Sequence, residues 1–106
     1  MGADYLHVFV SAENEEQANR VRDALMEKKL IPGGQIMQGP AKFWWKGDMV
    51  EIKDYCYVFS YTRVDFKEAL IEGMKKVTEE EVPMVSFMPF EGNDELIRWL
   101  EETLGH

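Results

Sequence analysis

Apolar and polar positions alternate through "DYLHVFVSA": Leu6, Val8 and Val10 fall on one side of an extended chain, and Tyr5, His7 and Phe9 fall on the other. That is the period of a strand, and because both sides are apolar or aromatic the strand should be covered on both faces. The period then changes in "NEEQANRVRDALMEKK". Asn14 can cap a helix, Glu15 and Glu16 suit its positive end, Gln17 completes a capping-box spacing, and Lys28 and Lys29 suit its negative end. Ala18, Val21 and Leu25 form the stripe to be buried. Pro32, Gly33 and Gly34 halt that helix, and Gly39-Pro40 punctuates again, leaving room between them for only a short strand.

A hairpin is predicted around "WWKGDM", with Gly47 supplying the positive backbone angle of a tight turn. Its arms are "QIMQGPAKFWW" and "MVEIKDYCYVFSYT". In the second arm Tyr55, Tyr57, Phe59 and Tyr61 share one face, with Cys56, Val58, Ser60 and Thr62 opposite. Asp65 has Glu68 three residues on, the spacing of a helix start, and Phe66, Ala69, Leu70, Gly73 and Val77 line the helix that follows. "EVPMVSFMPF" is a fourth strand, with Pro83 and Pro89 confined to its ends because neither donates to a ladder. Asn93 caps a last helix, "DELIRWLEETL", striped by Leu96, Trp99, Leu100 and Leu104.

The order β-α-β-β-α-β, with a further helix at the end, is the split βαβ arrangement. The expected fold is therefore α+β: a ferredoxin-like sandwich on an antiparallel sheet, with an extra C-terminal helix, in one domain over residues 1–106. Two helices can hide only one face of that sheet. The other would expose more apolar surface than soluble chains usually carry, so self-association is expected.

Charge narrows the partners. The formal net charge is -8 at pH 7, and neither nucleic acid nor an anionic membrane is gripped without a cationic face. No apolar run approaches the roughly 20 residues of a membrane-spanning helix. The start has no basic n-region, and a lone cysteine, Cys56, cannot form an internal disulfide, so a cytoplasmic setting is expected.

"VFVSAENEEQANRVRDALMEKKL", the "WWKG" turn, "EVPMV" and "GNDELIRWLEE" resemble, in order and spacing, the CutA family of divalent-cation tolerance proteins, from about Val8 to about Glu102. The resemblance implies a non-enzymatic, ferredoxin-like homotrimer whose long hairpins continue the sheets across subunit boundaries, linked to divalent-metal (copper) tolerance or signalling. This chain departs from the family pattern where soft donors are usual. An Ala-Ala-Cys stretch is replaced by Ile31-Pro32-Gly33, and a His-Pro-Tyr by Thr78-Glu79-Glu80.

The residues themselves offer little catalytic chemistry. A tight transition-metal site wants three or four converging Cys, His or carboxylate groups, whereas His7, Cys56 and His106 are far apart in sequence. His7 reads as a strand histidine satisfied by packing, Glu79-Glu80-Glu81 as a solvated acidic turn, and the seven methionines as core and interface filler. No metal ligands are assigned, no catalytic residues and no cofactor. Weak binding of a divalent metal or a small molecule is the ligand chemistry left open. Trp44 and Trp45, as strand neighbours, point to opposite faces and cannot form one stacking platform. With Tyr57 and Phe59 they read as oligomer-interface anchors. The competing reading is a ligand cleft near the hairpin, with Tyr61 and Glu81 as its candidate residues. That would make the protein a trimeric nucleotide or small-molecule sensor of the PII type, binding between subunits.

Overall fold

The computed structural model describes residues 4–79 and 84–105. The elements are β1 (Tyr5–Ala12), α1 (Glu15–Glu27), β2 (Gln35–Trp45), β3 (Asp48–Arg63), α2 (Lys67–Thr78), β4 (Val85–Pro89) and α3 (Asp94–Leu104), with a 3-10 turn over Val64–Phe66 between β3 and α2. The strands form one antiparallel sheet in the order β2-β3-β1-β4. This is the ferredoxin-like α+β fold expected of the element order, with α3 as the addition.

The core lies between one sheet face and two helices. Across the central pair, Val8 faces Ser60, Val10 faces Val58 and Ala12 faces Cys56, and all six are buried. From the helix side come Ala18, Val21 and Leu25 of α1 and Leu70, Gly73 and Met74 of α2. Gly73 permits the close approach of the two helices, since a Cβ there would lie 3.2 Å from the Leu25 Cδ2 atom. The two buried hydroxyls of β3 are both used. Thr62 Oγ1 donates to the Leu30 carbonyl at 2.8 Å and Ser60 Oγ donates to the Gly33 carbonyl, so the loop leaving α1 is fastened to the central strand.

The predicted caps hold for α1 and α3. Asn14 Oδ1 accepts from Gln17 N at 2.8 Å while Gln17 Oε1 accepts from Glu13 N at 2.8 Å, and Asn93 Oδ1 accepts from Leu96 N at 3.0 Å. α1 stops sooner than expected. Its last helical residue is Glu27, and Lys29 adopts a left-handed φ of 57°, so the two lysines lie in the exit turn and not in the last helical turn. Asp65 does not cap α2: its carboxylate accepts from Arg63 Nε and Nη2 at 2.9 and 2.7 Å, and the helix starts at Lys67 after the 3-10 turn. Ala69 is exposed, and Met74 takes the place in the core assigned to it.

β2 is not cut short by Gly39-Pro40. It runs 11 residues as an edge strand, with a register irregularity between Gly39 and Ala41. An edge position tolerates a proline, which has no N–H to pair. Among the methionines of the described residues only Met74 is buried, and Met26, Met37, Met49, Met84 and Met88 are exposed. Pro89 ends β4, as expected; Pro83 lies outside the described residues.

α3 lies on the other side of the sheet. Leu100 and Leu104 are buried with Tyr5, and Tyr61, Phe66, Phe90, Leu96 and Ile97 pack around them. Trp99, placed in the buried stripe by its spacing, is instead 44% exposed, because Ile97 occupies the inward position. The second face is therefore covered at one end by the chain's own last helix.

Thr62→Val should lower stability by about 1–3 kcal/mol, because the Leu30 carbonyl loses a buried donor while side-chain volume is kept. Chemical denaturation at fixed protein concentration measures this; an unchanged midpoint would show that the loop is held without the hydroxyl.

Candidate functional site

β3 is twice as long as β1, at 16 residues against 8. Only Cys56–Arg63 pairs with β1, so the stretch from Asp48 to Tyr55 is paired with β2 alone and extends beyond the body. The turn that closes this ribbon places both central residues at positive φ, Lys46 at 52° and Gly47 at 88°. That is the twist-matched geometry of a two-residue hairpin. Ala41 faces Ile52, Phe43 faces Val50 and Trp45 faces Asp48, so these share one side; Lys42 with Glu51 and Trp44 with Met49 share the other. The tryptophans therefore do point to opposite sides. Trp44 is 69% exposed and Trp45 41%.

The Trp45 side of the ribbon overhangs the end of the body and encloses an open cleft of about 600 Å³. Phe43, Trp45 and Tyr55 supply rings from the hairpin, while Glu13, Gln17 and Glu79 supply polar groups from the ends of the helices and β1. Phe43 contacts Tyr55 at 5.4 Å between ring centres, and Lys46 Nζ lies 5.7 Å from the Trp45 ring.

A second apolar surface runs along the sheet face opposite α1 and α2. Phe9 meets Phe59, Phe59 meets Tyr61, and His7 sits among Phe59, Tyr61 and Phe90, stacked on Phe90 at 4.5 Å with an interplanar angle of 11°. Tyr57 and Met37, paired across β3 and β2, are both exposed at the hairpin end of this face.

Tyr57 and Phe59 thus lie together on the open sheet face, and Trp44 and Trp45 lie on the two sides of the ribbon. Tyr61 belongs to the aromatic face near α3 and is not among the residues lining the cleft; Glu81 lies outside the described residues. The ring that reaches the cleft is Tyr55. Its place there was hidden because the irregularity at Gly39/Ala41 resets the alternation by which a face is read along the ribbon.

A family model described as CutA1 divalent ion tolerance protein matches residues 6–103. The chain belongs to the CutA1 family. The divalent-cation tolerance protein CutA of Thermotoga maritima is 31% identical over 98 residues, covering 92% of this chain and 96% of its own. The Thermus thermophilus CutA is 30% identical over 100 residues, with coverage of 92% and 96%. Among solved structures, the divalent cation tolerance protein of Thermus thermophilus superposes with a TM-score of 0.84 at 28% identity, covering 95% of this chain and 99% of its own. CutA from Archaeoglobus fulgidus, described as periplasmic, superposes at 0.85 with 24% identity, covering 94% and 98%. In this CutA1 protein no helix among the described residues is long and apolar enough to cross a membrane.

The family's name raises the question of a metal, and the described residues do not fit a transition-metal centre. Among the described residues no group of three or more His, Cys, Asp and Glu converges. Cys56 is completely buried and its thiol lies 3.5 Å from the Asp54 carbonyl. Burial pushes this thiol above its ordinary range, against an opposing side-chain hydrogen bond with Gln38. Burial likewise raises the Tyr5 hydroxyl, with Glu101 adding in the same direction and Arg63 opposing.

Native Cys56 should therefore resist Ellman's reagent at pH 8 and react as one thiol per chain once unfolded. Both raised groups hold their protons more tightly in the folded state. Their contribution to stability is present below the unfolded pKa values and is lost as pH rises through the folded ones, so the urea midpoint should fall from the thiol range toward and above the tyrosine range. Rapid native labelling, or a flat alkaline stability profile, would contradict this environment.

Proposed function

We propose that the protein is a non-enzymatic homotrimer serving divalent-cation tolerance, the role for which its relatives are named. The observation that carries the reading is the overhanging ribbon. A two-stranded hairpin is marginal by itself in water, yet this one presents Phe43, Trp45, Val50 and Ile52 on one side and Trp44 and Met49 on the other. Beside it the sheet face around Phe9, Tyr57 and Phe59 has no helix over it among the described residues. Seating the ribbon on a neighbouring copy buries both surfaces, and cyclic symmetry repeats the contact around a closed ring. Trp44, Trp45, Tyr57 and Phe59 are the anchors this assembly would use.

A second reading is favoured by the cleft itself: a trimeric small-molecule sensor of the PII type, with ligand held beside Trp45 between subunits. Shared topology supports it only by analogy. The aromatic wall and polar rim are the makeup of a ligand pocket, although a neighbouring subunit entering the same space would use the same rings.

The two readings separate on the tryptophans. The wild-type protein should sediment at three times its 12.4 kDa chain mass and remain assembled at micromolar concentration. Trp45→Ala removes an aromatic contact worth roughly 3–5 kcal/mol where fully buried, three times per trimer. The variant should melt lower and depend on protein concentration. If wild type is a monomer, the assembly reading fails. If Trp44→Ala and Trp45→Ala both stay trimeric with unchanged melting, the anchor roles fail and the cleft reading replaces them.

A further inference from the structure

We infer that the described residues of this CutA1 protein build no chelating site for a soft metal ion and that divalent cations meet them through exposed carboxylates, so that its part in cation tolerance runs without sequestering the ion. The pairing of β1 and β3 separates the strand histidine from the lone cysteine. His7 is opposite Tyr61, whereas Cys56 is opposite Ala12. Directly paired residues share a face, and residues five apart on one strand lie on opposite faces, so the imidazole and the thiol are on different sides of the sheet. At about 3.3 Å per residue they are also roughly 16 Å apart along the strand. One ion cannot reach both.

Copies of the chain do not repair this. Cys56 lies in the closed core with Val21, Leu25 and Leu70, beneath α1, so no neighbouring subunit can bring a donor to it. A metal would also have to displace a proton that burial holds more tightly than usual, because the thiolate is the ligand. His7 has the exposed Met88 as its cross-strand neighbour on β4, two donors where a tight site wants three or four, and its other neighbours are the rings of Phe59, Tyr61 and Phe90. What remains is charge. With 20 acidic against 12 basic side chains and a net charge of -8, the surface attracts cations, but through a field that falls off within about 8 Å at physiological salt.

The inference is independent of the subunit count, and its test reads metal uptake in the full-length protein as it assembles. Zinc chloride and copper(II) chloride are titrated calorimetrically into wild type, Cys56→Ala and His7→Gln at about 20 mM and about 300 mM sodium chloride, a range over which screening changes severalfold. The expected result is uptake without an integer plateau, weakened severalfold or more by salt and alike in the three proteins, with one titratable thiol per unfolded chain surviving copper exposure. A salt-insensitive site of fixed stoichiometry in wild type would overturn the inference whichever variant removed it. Its loss in His7→Gln would point to imidazoles gathered around a symmetry axis. The wild-type salt dependence decides the matter even if a variant folds poorly.

Discussion

The pairing of an eight-residue strand with a strand of twice that length governs most of what this molecule presents to its surroundings. β1 can satisfy only the second half of β3, and within that half the register aligns Val8, Val10 and Ala12 with Ser60, Val58 and Cys56 to make one flat apolar floor. α1 and α2 close on the floor, and the hydroxyls of Ser60 and Thr62 then hold the loop that delivers the chain to β2. Those two bonds matter beyond their own strength. By fixing Leu30 and Gly33 against β3 they hold the loop that leads to Gln35, where β2 begins.

The first half of β3 inherits the consequences. It has a partner on only one edge, so its side chains meet the body only where the ribbon leans over it, and the cleft is the space left by that lean. Rings fill the ribbon because a pleated surface without a helix over it gains most from large flat side chains. The same rings suit a neighbouring subunit and a bound ligand, which is why aromatic content alone does not separate the two readings, whereas the cost of removing one ring does.

Much of this was legible in the residues. Period-two alternation located β1 and β3 and assigned their faces, and Asn14 and Asn93 marked two helix starts because capping is local chemistry between residues three apart. The features that escaped are those decided by competition between side chains and by packing between elements. Asp65 has the spacing of a cap, but Arg63 takes its carboxylate and is itself held to the Leu104 carbonyl at 3.0 Å. Trp99 has the spacing of a core residue, but α3 is rotated so that Ile97 packs inward. Tyr55 is in phase with Tyr57 along its own strand, yet it shares a side with Ile52 only because two residues of β3, Lys53 and Asp54, stand opposite the single Pro40 of β2, a break in period that alternation alone does not reveal. That α3 would cover part of the aromatic face was equally invisible, because an amphipathic stripe states that a helix must pack and leaves open against what.

Charge placement limits how such a chain can associate. Each copy carries a net charge of -8, so bringing copies together works against repulsion, and the attraction must come from surfaces that add no charge of their own. Phe9, Met37, Tyr57, Phe59, Ser86 and Met88 on the open sheet face are all uncharged. On the opposite side of the sheet, the outer faces of α1 and α2 instead carry charged groups such as Glu16, Arg20, Glu68 and Lys76. Ordinary salt screens repulsion between these distant helices, while apolar burial at the sheet is little affected by it. In the proposed assembly the neutral face is therefore the one able to hold copies together, and the charged outer faces of α1 and α2 are left to the solvent.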